Sequence, residues 1–297
     1  MIYATPAYAE LGARVAALAR IPTGEIETHL FPDGERYLRL RSDPGSRDAY
    51  VLGGTISEAD TLLLYDLASG VVEAGARSLT LVIPYFGYST MERPTSSNEV
   101  VTAKTRARLL SSIPAAGSGS RVLLLDLHTE GIPFYFEGSL RPVHLSARPV
   151  VLEWLGRLGA EVVACTDAGR AKWVERFAND LGIAPAFVFK RRHQQGIEVT
   201  AVAAQVTGKR VVIYDDLVRS GGSLLAAARA YRDAGAASMA AVATHGVLPG
   251  DAVDRLRGSG LLDKLVVTDS HPRAAALRSD FVEVVSIAPV LAGALSA

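Results

Sequence analysis

The chain has 297 residues, 49% of them hydrophobic, and its 31 lysines and arginines balance 31 aspartates and glutamates. A neutral chain lacks the basic surface that binds nucleic acid or an anionic membrane, so we expect neither as a partner. The one cysteine, Cys165, excludes an internal disulfide, and no basic segment followed by an apolar run marks a secretory signal at the N-terminus. These features favour a reducing compartment, and we expect a cytoplasmic protein with room for two domains.

Apolar runs of strand length alternate with helical runs along the chain. The predicted strands are residues 49–53, 79–86, 122–127, 162–166, 211–214 and 240–244. The predicted helices are residues 59–74, 100–112, 150–158, 172–181 and 224–234. Short apolar strands separated by helices are typical of parallel strands buried on both faces. Two such sets predict an α/β protein with domains at 1–142 and 143–287, a junction within 137–147, and a C-terminal helix at 288–297 that packs on the first domain.

Ligands of parallel α/β sheets bind beyond the carboxyl ends of the strands, so polar motifs at those ends are candidate site residues. Four such motifs are PYFGYSTMERPTSSNEVVTAK from residue 84, LDLHTEGIPFYF from 125, TDAGRAKW from 166 and FKRRHQQG from 189. The motif FPDGE at residues 31–35 predicts a turn before a strand at 37–41. The two common glycine-rich nucleotide motifs are absent from the sequence, so other loops would have to hold a nucleotide.

The segment VVIYDDLVRSGGSLL, residues 211–225, carries the most informative pattern. Two carboxylates, Asp215 and Asp216, follow a short apolar strand, and a loop of small residues then leads into a helix. The loop residues are Ser220, Gly221, Gly222 and Ser223. A glycine turn at a helix start directs backbone N–H groups and the positive end of the helix dipole at one point, which suits phosphate. Carboxylates would repel phosphate but bind hydroxyls or a metal ion, so the segment predicts a site for a phosphorylated sugar.

Together these motifs resemble the ribose-phosphate diphosphokinase (phosphoribosyl-pyrophosphate synthetase) family, and the resemblance covers nearly the whole chain. It implies two tandem type I phosphoribosyltransferase-like domains, each a mostly parallel sheet flanked by helices. It also implies an enzyme that transfers the diphosphoryl group of ATP to the C1 hydroxyl of ribose 5-phosphate, with Mg²⁺ as cofactor. The family further implies a homo-oligomer whose active site lies near a subunit interface.

The resemblance implies roles for individual residues. The nucleotide contacts would be Phe31, Asp33, Glu35 and Arg93, and the sugar-phosphate contacts would be Asp215, Asp216 and residues 220–223. His128 and Asp167 would place Mg²⁺, which prefers oxygen ligands and keeps several waters. Lys190 and Arg192, together with His128, would be catalytic, because phosphoryl transfer depends on fixed positive charge around the moving group. Strand alternation places Lys190 and Arg192 on one side of their strand and Arg191 on the other.

Several positions depart from the common class I members of that family. Thr90 and Met91 replace an arginine–glutamine pair, and the local sequence is more similar to the class II enzymes. Arg170 stands where the family usually has glycine, and Arg219 adds a cation beside the phosphate loop.

Two other functions stay open. A phosphoribosyltransferase would use the same loop with a base instead of ATP, although the Lys-Arg-Arg triplet and the second domain would then have no clear role. A non-catalytic partner of a synthetase is the other alternative, and the intact loop, His128 and Lys190 argue against it. Simpler structural roles are also open for two motifs, because Asp167 suits a helix N-cap and residues 31–35 suit an ordinary turn.

Overall fold

The structure of this chain, a computed structural model, describes residues 1–193, 196–203 and 205–296, with side chains described outside residues 189–204. The chain forms two compact units. The first combines Met1–Ser146 with the C-terminal helix Ala288–Ser296, and the second is Ala147–Ile287. The units divide after residue 146 instead of 142 because Leu140–Leu145 pairs with the preceding strand and completes the first sheet. Among the described helices, none is both long and apolar enough to cross a membrane.

A parallel sheet forms the centre of the first unit. The strands of this unit are β1 (Ile2–Ala4), β2 (Ile26–Leu30), β3 (Arg36–Leu40), β4 (Asp48–Leu52), β5 (Ser78–Ile83), β6 (Ser120–Leu125) and β7 (Leu140–Leu145). Its first helices are α1 (Ala9–Ala19), α2 (Glu58–Glu73) and α3 (Thr102–Ser111). Five parallel strands follow the order β1-β4-β5-β6-β7, while β2 and β3 form a separate antiparallel hairpin.

Helix α2 illustrates how local sequence signals define an element of this unit. Ser57 Oγ accepts a hydrogen bond from the Asp60 backbone N–H at 3.1 Å and so caps the helix. Leu64, Leu67 and Val71 recur at helical spacing and are fully buried in the core shared with β4 and β5. Burying each of these side chains stabilises the fold by about 1.5–3 kcal/mol. The predicted helix at 59–74 is therefore confirmed within one residue at each end.

The second unit is built on a larger sheet. Its helices are α4 (Arg148–Arg157), α5 (Ala171–Leu181), α6 (Gly222–Asp233) and α7 (Ala252–Gly258), and α8 (Ala288–Ser296) then packs on α1 in the first unit. Its strands are β8 (Val162–Cys165), β9 (Ala184–His193), β10 (Gly196–Ala203), β11 (Arg210–Val218), β12 (Ser238–Gly246), β13 (Lys264–Thr268) and β14 (Val282–Val285). The strand order is β10-β9-β8-β11-β12-β13-β14, and every pair is parallel except β9 with β10.

The α/β alternation predicted from the sequence is confirmed, with one change that concerns the site. Strand β11 continues to Val218, because Asp215 and Leu217 pair in register with Ala243 and His245 of β12. The carboxylate pair therefore lies within a paired strand and not just beyond its end, as the sequence pattern had predicted. The predicted strands at 79–86 and 122–127 are shorter, ending at residues 83 and 125, so the polar motifs after them begin earlier.

Candidate active site

The loop between β11 and α6 has the conformation that its glycines permit. Gly221 has a φ of +76°, in the left-handed region that favours glycine. A Cβ added here would lie 2.8 Å from Leu256 Cδ2, whereas one added at Gly222 would lie 3.7 Å from Ser220 Oγ. Helix α6 begins at Gly222. Its N-cap residue, Gly221, has no side chain, and the Gly222 N–H makes a long hydrogen bond of 3.5 Å to Ser220 Oγ. The exposed start of this helix therefore offers backbone N–H groups to an anion, as the sequence predicted.

Helix α7 supports this loop. Arg255 Nη2 donates a hydrogen bond to the Ser220 carbonyl oxygen at 2.7 Å, and the fully buried Leu256 packs against Gly221. Neither residue is predictable from the sequence, because neither is a recognisable phosphate ligand and both reach the loop only through tertiary contact. Ser220 and Ser223 are exposed, so their hydroxyls are accessible to a bound ligand.

A compact charged cluster lies beside the loop, at the carboxyl ends of the neighbouring strands β8 and β11. Asp216 is 4% exposed and accepts a 2.8 Å ion-pair contact from Arg170 Nη2. Arg170, itself 8% exposed, also places Nε 3.9 Å from Asp215 Oδ1. Thr166 Oγ1 donates to Asp215 Oδ2 at 3.0 Å, and the Asp216 backbone N–H donates to Asp215 Oδ1 at 3.0 Å. Both carboxylates are thus oriented by fixed donors before any ligand binds.

The surroundings of Asp215 disfavour its charged form. Burial, followed by the neighbouring negative charge of Asp216, raises the pKa of Asp215 well above its usual range. Arg170 and the Thr166 hydroxyl act in the opposite direction but do not reverse the shift. A ligand hydroxyl that donated to Asp215 would favour its ionised form in the same way as Thr166 does.

Asp167 has a structural role in addition to any role with a metal. Its side chain accepts a hydrogen bond from the Gly169 backbone N–H at 2.9 Å and caps a short 3₁₀ helix, Ala168–Arg170. The alternative assignment of Asp167 as an N-cap is therefore confirmed. Because the 3₁₀ helix ends at Arg170, the cap that stabilises this helix also helps to position the Arg170 backbone. The N-cap bond uses Oδ1, and the residue is only partly buried, so its carboxylate could still contribute to a magnesium site completed by phosphate oxygens and water.

The two catalytic candidates of the cationic triplet belong to β9. In the backbone register, Lys190 pairs with Val199 and Arg192 with Ile197 of β10. Their side chains lie outside the described part of the chain, so their placement relative to the loop stays a prediction. Strand β9 is the neighbour of β8 in the sheet, which places the triplet's backbone one strand away from the strand that leads to Asp167.

His128 follows β6 in the first unit, where the backbone bends sharply. Asp126 is 4% exposed and has a φ of +36°, an uncommon conformation for a residue other than glycine. The bend is held by two hydrogen bonds to β7, from Asp126 N–H to the Leu145 carbonyl at 2.9 Å and from Leu127 N–H to His144 Nε2 at 3.0 Å. His128 emerges from this bend partly exposed, as a ligand-facing residue requires. The supporting role of His144 could not be predicted without knowing that β7 pairs with β6.

The four candidate nucleotide contacts also belong to the first unit. The turn at 31–35 connects β2 to β3, with the Glu35 N–H donating to Asp33 Oδ1 at 3.0 Å. The Phe31 ring is 45% exposed and lies 4.8 Å, centroid to centroid, from His29. The Arg93 side chain is 79% exposed, with Nε 3.5 Å from Glu92 Oε1. The predicted turn and following strand are confirmed, and the exposed aromatic and cationic groups stay accessible to a ligand.

The structure therefore brings one part of the predicted site together within a single unit. The carboxyl ends of β8 and β11 in the second unit carry Asp167, Asp215, Asp216 and the loop. His128 and the nucleotide candidates lie in the first unit. Among the described residues, no group of three or more His, Cys, Asp and Glu side chains is arranged to hold a metal ion.

Known proteins with similar sequences and structures identify the family. Residues 1–113 match the N-terminal domain of ribose phosphate pyrophosphokinase, and residues 165–297 match the phosphoribosyl synthetase-associated domain. Ribose-phosphate pyrophosphokinase from Streptomyces coelicolor is 30% identical over 303 residues, covering 99% of this chain and 91% of that protein. The corresponding protein from Hyphomonas neptunium is 36% identical over 286 residues, covering 93% of this chain and 88% of that protein.

A solved structure extends the similarity to the fold. Phosphoribosylpyrophosphate synthetase from Mycobacterium smegmatis superposes with a TM-score of 0.88 at 27% identity, covering 99% of this chain and 97% of that one. The predicted fold, two phosphoribosyltransferase-like domains built on mostly parallel sheets, is confirmed by this match. The sequence motifs, the geometry of the loop and the two similarities agree, and the chain belongs to the ribose-phosphate pyrophosphokinase family.

Proposed function

We propose that this enzyme transfers the diphosphoryl group of ATP to the C1 hydroxyl of ribose 5-phosphate, giving 5-phosphoribosyl 1-diphosphate and AMP. The observation that carries the proposal is the β11–α6 segment, in which two oriented carboxylates are followed, after a short connection, by a left-handed Gly221 and the N-terminus of α6. The N-terminus of α6 matches the phosphate group of a sugar phosphate, and the carboxylate pair matches the hydroxyl groups of the same molecule.

Binding of the sugar phosphate follows from the charges of the segment. The 5-phosphate sits at the start of α6, where the first-turn N–H groups and the hydroxyls of Ser220 and Ser223 donate to its oxygens. The ribose hydroxyls donate to the carboxylates of Asp215 and Asp216, which lie on the preceding strand. Repulsion between the carboxylates and the phosphate sets the direction in which the sugar enters.

In the transfer step, the C1 oxygen forms a bond to the β-phosphorus of ATP and its proton is released. The bond between that phosphorus and the bridging oxygen of the α-phosphate breaks, and AMP leaves. Negative charge accumulates on the oxygens of the moving group, and the cations of Lys190 and Arg192 stabilise it more in the transition state than in the ground state.

The nucleotide is held by residues of the first unit. Phe31 contacts the base, and Asp33, Glu35 and Arg93 contact polar groups of the nucleotide. As the family resemblance implies, His128 and Asp167 would be ligands of Mg²⁺, and the cation would supply charge neutralisation for the triphosphate. Because the Phe31 hairpin is exposed, we propose that it completes the site of a neighbouring subunit in a cytoplasmic homo-oligomer.

Incubation with ribose 5-phosphate, ATP and Mg²⁺, followed by chromatography of the nucleotides, tests the reaction. AMP formed in equal amounts with phosphoribosyl diphosphate supports the proposal. ADP instead of AMP indicates a simple kinase, and release of diphosphate from phosphoribosyl diphosphate in the presence of a base indicates a phosphoribosyltransferase. Absence of turnover in both assays favours a non-catalytic subunit.

Calorimetric titration tests the site assignment separately. The variant Asp215→Asn/Asp216→Asn keeps the shape of both side chains, so Arg170 still meets acceptor oxygens. It should bind ribose 5-phosphate at least about tenfold more weakly, since hydrogen bonds to charged groups contribute about 1.5–3 kcal/mol each. Its affinity for ATP should change little. Equal losses for the two ligands would remove these carboxylates from the sugar site.

A further inference from the structure

The Arg170 side chain occupies a position that has consequences for the Asp215–Asp216 pair. Its guanidinium lies 2.8 Å from one oxygen of Asp216 and 3.9 Å from one oxygen of Asp215, and its side chain is 9% exposed. An arginine side chain stays protonated at all accessible pH values. The pair therefore has a permanent positive charge within contact distance before any ligand arrives.

The charges of Arg170, Asp215 and Asp216 determine which ligands bind at this site. Two adjacent carboxylates that are 13% and 5% exposed repel each other and normally need a cation between or beside them. The guanidinium sets one positive charge against the two carboxyl groups and is in direct contact with Asp216. Asp215, the more exposed of the two, accepts hydrogen bonds from Thr166 and from the Asp216 backbone N–H and lies farther from the guanidinium than Asp216 does.

We propose that Arg170 is a built-in counter-ion that takes the place of a divalent cation at the Asp215–Asp216 pair. With this charge in place, the pair recognises the hydroxyl groups of the sugar directly and does not recruit a metal ion for that purpose. Arg170 is thus a positioning residue, because it acts through the two carboxylates. The part of the inference that concerns the sugar rests on the proposed function, whereas the part that concerns the cation does not.

The local fold explains how the arginine reaches this position. Asp167 caps the turn at Ala168–Arg170, which follows β8, and β8 pairs directly with β11. The turn therefore presents Arg170 to the carboxyl end of the adjacent strand. Breaking such a buried pair by removing one partner is costly because the remaining charge is left uncompensated, so the carboxylates should seek another cation when the guanidinium is removed.

The test compares thermal unfolding of the full chain with and without 10 mM CaCl₂ or MgCl₂, in the absence of nucleotide and sugar. Arg170→Gln removes the charge but keeps a hydrogen-bonding side chain, and either cation should raise its midpoint by about 3 °C or more if the new site binds with a Kd of about 1 mM. The wild type and Arg170→Lys should respond clearly less. Arg210→Gln is the matched control. Arg210 is the first residue of β11, the strand that carries Asp215 and Asp216, and it forms an ion pair with Glu161 at the surface.

A second titration concerns the sugar. Binding of ribose 5-phosphate to the wild type should be the same with and without CaCl₂, whereas Arg170→Gln should bind it at least tenfold more tightly when CaCl₂ is present. Equal cation responses of Arg170→Gln, Arg210→Gln and the wild type would overturn the inference, and so would an Arg170→Gln variant that fails to fold even with the cation. An Arg170→Gln variant that folds only when the cation is present supports the counter-ion role of Arg170. Failure of the AMP assay would leave the thermal comparison intact, so the two proposals fail independently.

Discussion

Gly221→Ala should destabilise the second unit far more than the neighbouring substitution Gly222→Ala. At Gly221 the backbone has a φ of +76°, and a side chain in the left-handed region costs about 1–2 kcal/mol. The new methyl group would also lie 2.8 Å from Leu256 Cδ2 and 2.9 Å from its Cγ, and relieving overlap of this kind in a packed core costs typically 1–3 kcal/mol. The sum is a loss of about 2–5 kcal/mol in the free energy of unfolding.

The same methyl group at Gly222 meets none of these obstacles. Its nearest neighbour would be Ser220 Oγ at 3.7 Å, an ordinary contact, and the position is the first residue of α6. Alanine is a better helix former than glycine, so Gly222→Ala should stay within about 0.5 kcal/mol of the wild type or be slightly more stable. Both variants add one methyl group at adjacent positions. Any difference in their stability therefore comes from the backbone conformation and the packing at each position.

Urea unfolding followed by tryptophan fluorescence measures the difference. The two tryptophans of the chain, Trp154 in α4 and Trp173 in α5, both lie in the second unit, so the signal reports on the unit that contains the loop. With a denaturant slope of about 2 kcal/mol per molar urea, a loss of 3 kcal/mol lowers the midpoint by about 1.5 M. Equal midpoints for the two variants would refute the reasoning, since they would show that the loop needs neither the left-handed conformation nor the space beside Leu256.

Three further outcomes are expected. Lys190→Ala should lower kcat by about a hundredfold or more with little change in affinity for ribose 5-phosphate, and an unchanged kcat in the AMP assay would exclude Lys190 from the mechanism. Hydrogen bonds from Arg77 and Ser78 lower the pKa of Asp48 to about 2, so its stabilising effect is present above about pH 4 and is lost as the pH falls towards 2. Asp48→Asn should therefore lower the urea midpoint seen by circular dichroism at pH 7 but not near pH 2, by at most about 1 kcal/mol because the pair is solvent-screened. The Cys165 thiol is fully buried, which raises its pKa, so a thiol reagent should label the native protein much more slowly than the urea-unfolded protein, and fast native labelling would contradict the burial.

The sequence by itself determined the architecture and the chemistry of the sugar-phosphate segment. Apolar strands alternating with helices predicted parallel sheets, because a strand covered by helices on both faces must be apolar on both faces. The small residues at 220–223 predicted a tight turn at a helix start, and the carboxylates before them predicted a polar ligand. These inferences succeeded because periodicity and turn chemistry act over a few neighbouring residues.

Other elements could not be predicted because their sequences carry weak local signals. Strand β7 contains Pro142 and is partly exposed, and such a strand is tolerated only at the edge of a sheet, where β7 lies. Its pairing with β6 is what allows His144 to hold the bend before His128. Without that pairing, a histidine in an irregular segment has no identifiable function.

The tertiary structure alone decided the electrostatics of the carboxylate pair. In the sequence, Arg170 lies 45 residues before Asp215 and is recognisable only as an unusual residue in a short turn. The fold brings it into contact with Asp215 and Asp216 because β8 and β11 are neighbours and the turn after β8 ends at Arg170. Contact between residues that are distant in the sequence depends on the order of the strands and on where a turn ends. Short-range sequence patterns determine neither of these.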